Sequence, residues 1–172
     1  MTADRPGEHA DFGVLLKRHD AKLRGLAYKM LGGDRHWMDD ALQEAYLRAY
    51  RARDSLRNED EAGTWLYRIV TNTCIDELRK GRRRPHPVDV GSATWERPSG
   101  ATLPDDAVVR SDLVRRVLAA LPDDQRATVV LVDGEGFDHT TAAEMLGVAP
   151  GTVASRLSRA RQTMRDAIGE DR

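Results

Sequence analysis

Apolar residues recur along most of this chain at helical rather than alternating intervals, and the breaks between runs mark out two groups of short helices. Phe12, Leu15, Leu16, Leu23, Leu26, Ala27, Met30 and Leu31 keep the 3.6-residue period and stop at Gly32–Gly33, which predicts a first helix or helix pair. Asp39 or Asp40 then caps a second helix, whose stripe of Leu42, Ala45, Tyr46, Ala49 and Tyr50 leaves Asp40, Gln43, Glu44 and Arg48 on an outward, polar face. A third helix runs from Thr64 to about Arg79 and buries Leu66, Ile69, Val70, Thr73, Cys74 and Leu78. The period then fails: Pro85, Pro87, Pro98 and Pro104, with Gly91, Ser92, Ser99 and Gly100, sustain neither a helix nor a central strand. Beyond this stretch Asp105 opens a helix that turns Val109, Leu113, Val117, Leu118 and Leu121 inward and stops at Pro122. Another follows from Asp123 through Val132. After the turn Asp133-Gly134-Glu135-Gly136, Asp138 caps a short helix that ends at Gly147. The expected fold is all-α: a helical domain over 10–84, a flexible Pro/Gly-rich linker over 85–104, and a four-helix domain over 105–168.

The last two helices carry the most specific signal. From Asp138 to Arg161 the chain reads as short helix, tight turn, longer helix, the pattern of a helix-turn-helix. Ala143 is small where two helices approach closely, Gly147 takes a left-handed conformation, and Val148, Val153 and Leu157 fill the angle between the helices. Pro150 and Gly151 start the second helix. Thr152, Ser155, Arg156 and Arg159 then share one face by their spacing, and with Ser158 they form the set expected to reach bases and phosphates in a major groove.

Charge changes the picture by its distribution rather than its total. The net charge of −1 over 172 residues argues against coating nucleic acid by bulk electrostatics. Yet five of the six residues from Arg79 to Arg84 are basic, and Arg156 to Arg165 holds four arginines and no acid. Asp105 to Asp138 holds eight acids against four arginines. Two basic patches thus sit on an acidic body. Cys74 is the only cysteine, which excludes an intrachain disulfide and a cysteine-based metal cluster within the chain and fits a reducing cytoplasm. Its spacing is that of the buried stripe, so it reads as core. The longest apolar stretch, around Val129 to Val132, is far short of the roughly 20 residues a membrane span needs.

Both groups of helices resemble the extracytoplasmic-function type of bacterial RNA polymerase sigma factor, in the sigma-70 family. The C-terminal likeness rests on Leu121-Pro122, Gln125-Arg126, Val130-Leu131, Gly136, Ala143, Leu146-Gly147-Val148, Pro150-Gly151-Thr152-Val153, Ser155-Arg156-Leu157 and Arg159-Ala160-Arg161. The N-terminal likeness rests on Asp40, Gln43-Glu44, Leu47-Arg48-Ala49, Thr64 to Ile69, Asn72-Thr73 and Asp76 with the basic cluster after it. The resemblance implies a transcription initiation factor that binds core RNA polymerase and recognises two elements of promoter DNA, helping to melt one. Asp40, Gln43 and Glu44 would dock on the clamp helices of the polymerase. Asn72, Asp76, Arg79, Lys80, Arg82 and Arg83 would lie against the melting element. A flipped-out base would be captured in the loop 54–63, where Asn58 is the nominee; extrusion costs a few kcal/mol of unstacking, which a selective pocket turns into specificity. Thr152, Ser155, Arg156, Ser158 and Arg159 would contact the upstream element. An anti-sigma factor is an implied partner. The chain ends soon after the recognition helix, so control is expected from outside or from packing of the two domains on each other.

Two other classes fit less well. A self-sufficient dimeric regulator leaves the second basic cluster without a role, and the chain shows no oligomerisation seam. An enzyme acting on nucleic acid needs convergent carboxylates or a nucleophile with its base. Asp39, Asp40 and Glu44 do not converge with a histidine, and His9, His19, His36, His86 and His139 are scattered singly. No catalytic residue, metal or cofactor is expected. Trp37 and Trp95 have no assigned place.

Overall fold

A computed structural model describes residues 6–56, 58–81 and 113–170, and all its regular elements are helical. In the N-terminal half α1 (Pro6–Met30), α2 (Arg35–Arg51) and α3 (Ala62–Gly81) pack against one another. The C-terminal half holds a helical stretch over 113–119 (α4), then α5 (Asp123–Val129), α6 (His139–Leu146) and α7 (Pro150–Glu170). The expected linker over 85–104, the helix start at Asp105 and Val109 lie outside the described residues. No described helix is long and apolar enough to cross a membrane.

The expected first break holds. Gly32 and Gly33 have φ of 71° and 88°, a region costly for residues with a Cβ, and they reverse the chain between α1 and α2. The cap of α2 differs from expectation. Asp34, not Asp39 or Asp40, sits in extended conformation and accepts a 2.9 Å hydrogen bond from the Trp37 amide. Because the glycine pair ends at residue 33, the next residue with a short acceptor side chain takes the cap. Asp39 is then inside the helix, paired with Arg24 of α1 at 2.7 Å. Trp37 also acquires a place: its ring lies over Gly81 at the end of α3, where a Cβ would stand 3.0 Å from it.

The apolar stripes fill the core as their spacing required. Leu23, Leu26, Ala27, Met30, Leu42, Ala45, Ala49, Leu66, Val70 and Leu78 are buried, as are Met38 and Ala41. Cys74 is wholly buried, and desolvation pushes its thiol up to about 12. In the C-terminal half Val117, Leu118, Leu121, Leu131, Met145, Val153, Leu157 and Ala160 are buried.

A second difference lies after α5. Regular α-hydrogen bonding ends at Val129 instead of continuing through Val132, and Val130–Gly134 forms a wider π turn closed by the Glu135 amide on the Val130 carbonyl at 2.9 Å. This wider turn delivers Glu135 and Phe137 to the other half of the molecule. Glu135 accepts from Lys29 Nζ on α1 at 2.9 Å and from the Tyr67 hydroxyl on α3 at 3.0 Å. The Phe137 ring meets Tyr67 edge-on at 5.2 Å. Burial and the bond to Glu135 push the Tyr67 hydroxyl well above the usual phenol range.

The two halves are therefore in contact. Arg126 Nη1 donates to the Met30 carbonyl at 3.0 Å, Arg68 of α3 pairs with Glu144 of α6 at 3.5 Å, and the Arg115 side chain lies against Gly33. Buried apolar residues from both halves form one continuous cluster. Glu135, 14% exposed, is the polar hinge of this contact. Replacing it with Ala leaves the Tyr67 hydroxyl and Lys29 without their acceptor, at roughly 1–3 kcal/mol. Glu135→Ala is accordingly expected to raise the radius of gyration measured by small-angle X-ray scattering while helix content by circular dichroism stays constant. An unchanged radius would show that the apolar contacts suffice alone.

Candidate nucleic-acid and partner interfaces

The helix-turn-helix is assembled as its sequence requires. Asp138 Oδ1 accepts from the Thr141 amide at 2.9 Å and Oδ2 from the Thr141 hydroxyl at 3.0 Å, capping α6 and holding the Asp138 carboxyl below the usual range. Gly147 ends α6 in left-handed conformation at φ 63°, and the Val148 amide closes on the Ala143 carbonyl at 3.0 Å. Ala143, Val153 and Leu157 are buried in the angle between α6 and α7. That packing turns Ser155, Ser158 and Arg159 to solvent and leaves Thr152 half-buried. Ser155 Oγ donates back to the Thr152 carbonyl at 3.0 Å.

The arginines of α7 do not form one free patch. Arg156 Nε lies 3.2 Å from Asp124 Oδ2 at the start of α5, and its side chain is largely covered. Arg161 pairs with Asp133 through two nitrogens, at 2.6 and 3.1 Å. Arg159 makes no ion pair among the described residues and is exposed. A base contact from Arg156 therefore shares or breaks an existing pair, whereas Arg159 is at liberty to meet phosphate.

On α2, Asp40, Gln43 and Glu44 occupy one outward face, with Asp40 and Gln43 exposed and Glu44 partly so. Leu47 continues the same face at i+7 and is 47% exposed, an apolar group at the edge of an acidic surface. Glu44 is held below the usual carboxylate range by its hydrogen bond from Arg48. Leu47 is not among the residues expected at this site from the sequence, although its place on the i, i+3, i+4, i+7 series from Asp40 is a signal for it; Arg48, expected on the outward face without a docking role, holds Glu44.

On α3, Asn72, Asp76 and Arg79 lie along one side, with Asn72 and Arg79 exposed. Asp76 pairs with Arg48 at 2.8 Å, and Lys80 with Glu77 at 2.7 Å. Arg82 and Arg83 lie outside the described residues. Arg68 belongs to the Asn72 side by its i, i+4 spacing and was not singled out from the sequence. Asn58 is exposed, but its carboxamide oxygen accepts from the Asp60 amide at 3.1 Å and shapes the turn before α3.

The outer face of α7 on one half and polar faces on α2 and α3 of the other are the exposed polar surfaces of a helical protein that carries a helix-turn-helix. The Sigma-70 region 2 family model matches residues 15–84, and the model for Sigma-70, region 4 matches 111–164. ECF RNA polymerase sigma factor SigM of Mycobacterium tuberculosis (strain ATCC 25618 / H37Rv) is 37% identical over 98% of this chain and 83% of its own length. ECF RNA polymerase sigma-E factor of Escherichia coli (strain K12) is 33% identical over 94% of this chain and 88% of its own. Among solved structures, the sigma factor RpoE of Bartonella quintana, in complex with the anti-sigma factor NepR, superposes with a TM-score of 0.71 at 28% identity, covering 94% of this chain and 99% of that one. CnrH, in complex with the cytosolic domain of CnrY, gives 0.66 at 25% identity over 95% of this chain and 91% of that one. The chain belongs to the ECF RNA polymerase sigma factors. It is a non-enzymatic transcription initiation factor that directs RNA polymerase to specific promoters.

The turn of the DNA-binding motif supplies a local test. Gly147→Ala forces a Cβ into left-handed backbone at a cost of about 1 kcal/mol. Gly151, at a helical position with open space around it, accepts Ala without strain. Urea denaturation should thus give a lower midpoint for Gly147→Ala and an equal or higher one for Gly151→Ala.

Proposed function

We propose that the chain uses three surfaces in sequence: the face of Asp40, Gln43 and Glu44 for the core polymerase, the side of α3 for the melting element, and the outer face of α7 for the upstream element. The observation that carries this reading is that outward polar faces lie on three separate helices of one chain, with Asp40, Gln43 and Glu44 on α2, Asn72 and Arg79 on α3, and Ser155, Ser158 and Arg159 on α7. The first domain spans 10–84, the tether 85–104 and the second domain 105–168. Asp40, Gln43 and Glu44 offer acceptors to a basic partner surface, and Leu47 adds an apolar contact beside them. Asn72, Asp76, Arg79 and Lys80, with Arg82 and Arg83 beyond the described residues, hold the melting strand, and Asn58 contributes from the preceding loop. Thr152, Ser155, Arg156, Ser158 and Arg159 face the upstream duplex. Cation-to-phosphate contacts give the affinity and its salt dependence, and base-edge contacts give the sequence preference. The protein works in the cytoplasm, the compartment of its polymerase, where the buried thiol of Cys74 stays reduced.

An anti-sigma protein is the proposed regulator. Support comes from RpoE and CnrH, both solved as complexes with the proteins named NepR and CnrY, whose arrangement this chain resembles over nearly its full length. Holding the halves together would keep their promoter surfaces from reaching two separated DNA elements at once.

The purified chain mixed with core RNA polymerase is expected to yield promoter-dependent transcript. Tight DNA binding without polymerase association in size-exclusion chromatography would overturn the reading. Within it, Glu44→Arg should weaken polymerase binding roughly tenfold or more and leave affinity for an upstream-element duplex intact; an equal loss of both would defeat the role given to α2. On α7, Arg159→Ala should weaken binding to all duplexes alike and reduce the salt slope by about 1, whereas Arg156→Ala should cost about 1–3 kcal/mol at one base position. Binding titrations against a base-substituted panel at several salt concentrations separate these two outcomes.

A further inference from the structure

The residues proposed for polymerase and for the melting element meet at one guanidinium. Arg48 Nε donates to Glu44 Oε1 at 2.8 Å, one turn back on α2, and Arg48 Nη1 donates to Asp76 Oδ2 at 2.8 Å across the gap to α3. Glu44 lies on the polymerase face and Asp76 on the promoter face, so the two surfaces share a donor. Both bonds favour the charged forms: they raise the Arg48 pKa, the bond to Asp76 contributing most.

We propose that Arg48 is a positioning residue that couples polymerase docking at Glu44 to the state of Asp76 against the promoter strand. The coupling rests on the docking reading above. It follows from the shape of the group: a guanidinium is a rigid planar fork, so moving closer to one carboxylate loosens its hold on the other. The trio carries two negative charges and one positive. A cationic partner surface that engages Glu44 competes with Arg48 for it and releases the guanidinium toward Asp76. By linkage the reverse holds: withdrawing Asp76 throws the guanidinium onto Glu44, neutralises it further and weakens its attraction for a cationic partner. Arg51 and Lys80 also act on Glu44, and Lys80, paired with Glu77 at 2.7 Å, acts on Arg48 and Asp76 as well; these charges are the same in all four proteins of the cycle below, so they do not enter the difference it reads.

The sign and the route are both testable with the full chain and bacterial core RNA polymerase in the absence of DNA. Core affinity is measured by competition with labelled wild-type chain for four proteins: wild type, Asp76→Asn, Arg48→Gln and the double variant. Asp76 is not on the proposed docking face, yet Asp76→Asn should weaken core binding about two- to fivefold, the scale of an exposed ion pair. In the Arg48→Gln background the same substitution should have no effect. No change in the wild-type background overturns the coupling. An equal loss in both backgrounds also overturns it, because a direct field from Asp76 on the polymerase does not need Arg48. Thermal unfolding of each chain checks the fold, and Arg48→Met, which keeps the apolar stem, replaces Arg48→Gln in the cycle should that chain not fold. Glu44→Gln in the same assay tests the underlying reading: undiminished core binding defeats the docking assignment itself, an outcome distinct from failure of the cycle.

Discussion

The guanidinium of Arg126 is the junction on which the arrangement of the two halves depends. It is nearly buried, and a buried cation costs several kcal/mol unless its donors are met. Here they are met by main-chain carbonyls. Nε donates to Leu118 at 2.8 Å, Nη2 to Leu121 at 3.0 Å and Nη1 to Met30 at 3.0 Å. Leu118 and Met30 belong to the last turns of α4 and α1, where carbonyls lack intrahelical partners and the helix dipole favours positive charge. One side chain thereby completes two helix ends and joins them, while Asp123 stands 3.6 Å away.

Around this junction the contact between the halves is mixed in character. Its apolar part continues the cores of both domains. Its polar part, Glu135 with Lys29 and Tyr67 and Arg68 with Glu144, resembles the interfaces of domains that move relative to each other. Thr71 Oγ1 on α3 and Gln125 Oε1 on α5 are buried without a hydrogen-bond partner among the described residues, a cost the folded chain carries.

The same economy runs through the charged surfaces. Arg156, Arg161 and Arg48 are each engaged by a carboxylate of the same chain, at Asp124, Asp133, and Glu44 with Asp76. These three arginines are thus neutralised locally, each by a carboxylate within reach. Exposed pairs of this kind are weak and readily exchanged. Binding to polymerase or DNA would then be an exchange of partners, which makes the affinity of each surface depend on the acids beside it as well as on its own basic residues.

Much of this was legible in the chain. Helix spacing, the glycines of the turns, the cap at Asp138 and the buried stripes all express local rules, because a 3.6-residue period, a positive φ and an N-terminal acceptor act within a few residues. The helix-turn-helix and the outward face at Asp40, Gln43 and Glu44 followed directly. Tertiary structure decided what depends on residues far apart. Asp34 displaced Asp39 and Asp40 as the cap of α2 because the glycine turn placed it there, and Asp39 turned instead to Arg24 on α1. The π turn after Val129, the meeting of Glu135 with Lys29 and Tyr67, and the pairing of Arg156 with Asp124 have no local signature. Charge along a chain tells which residues want a partner; only the packing of helices determines which partner comes within reach.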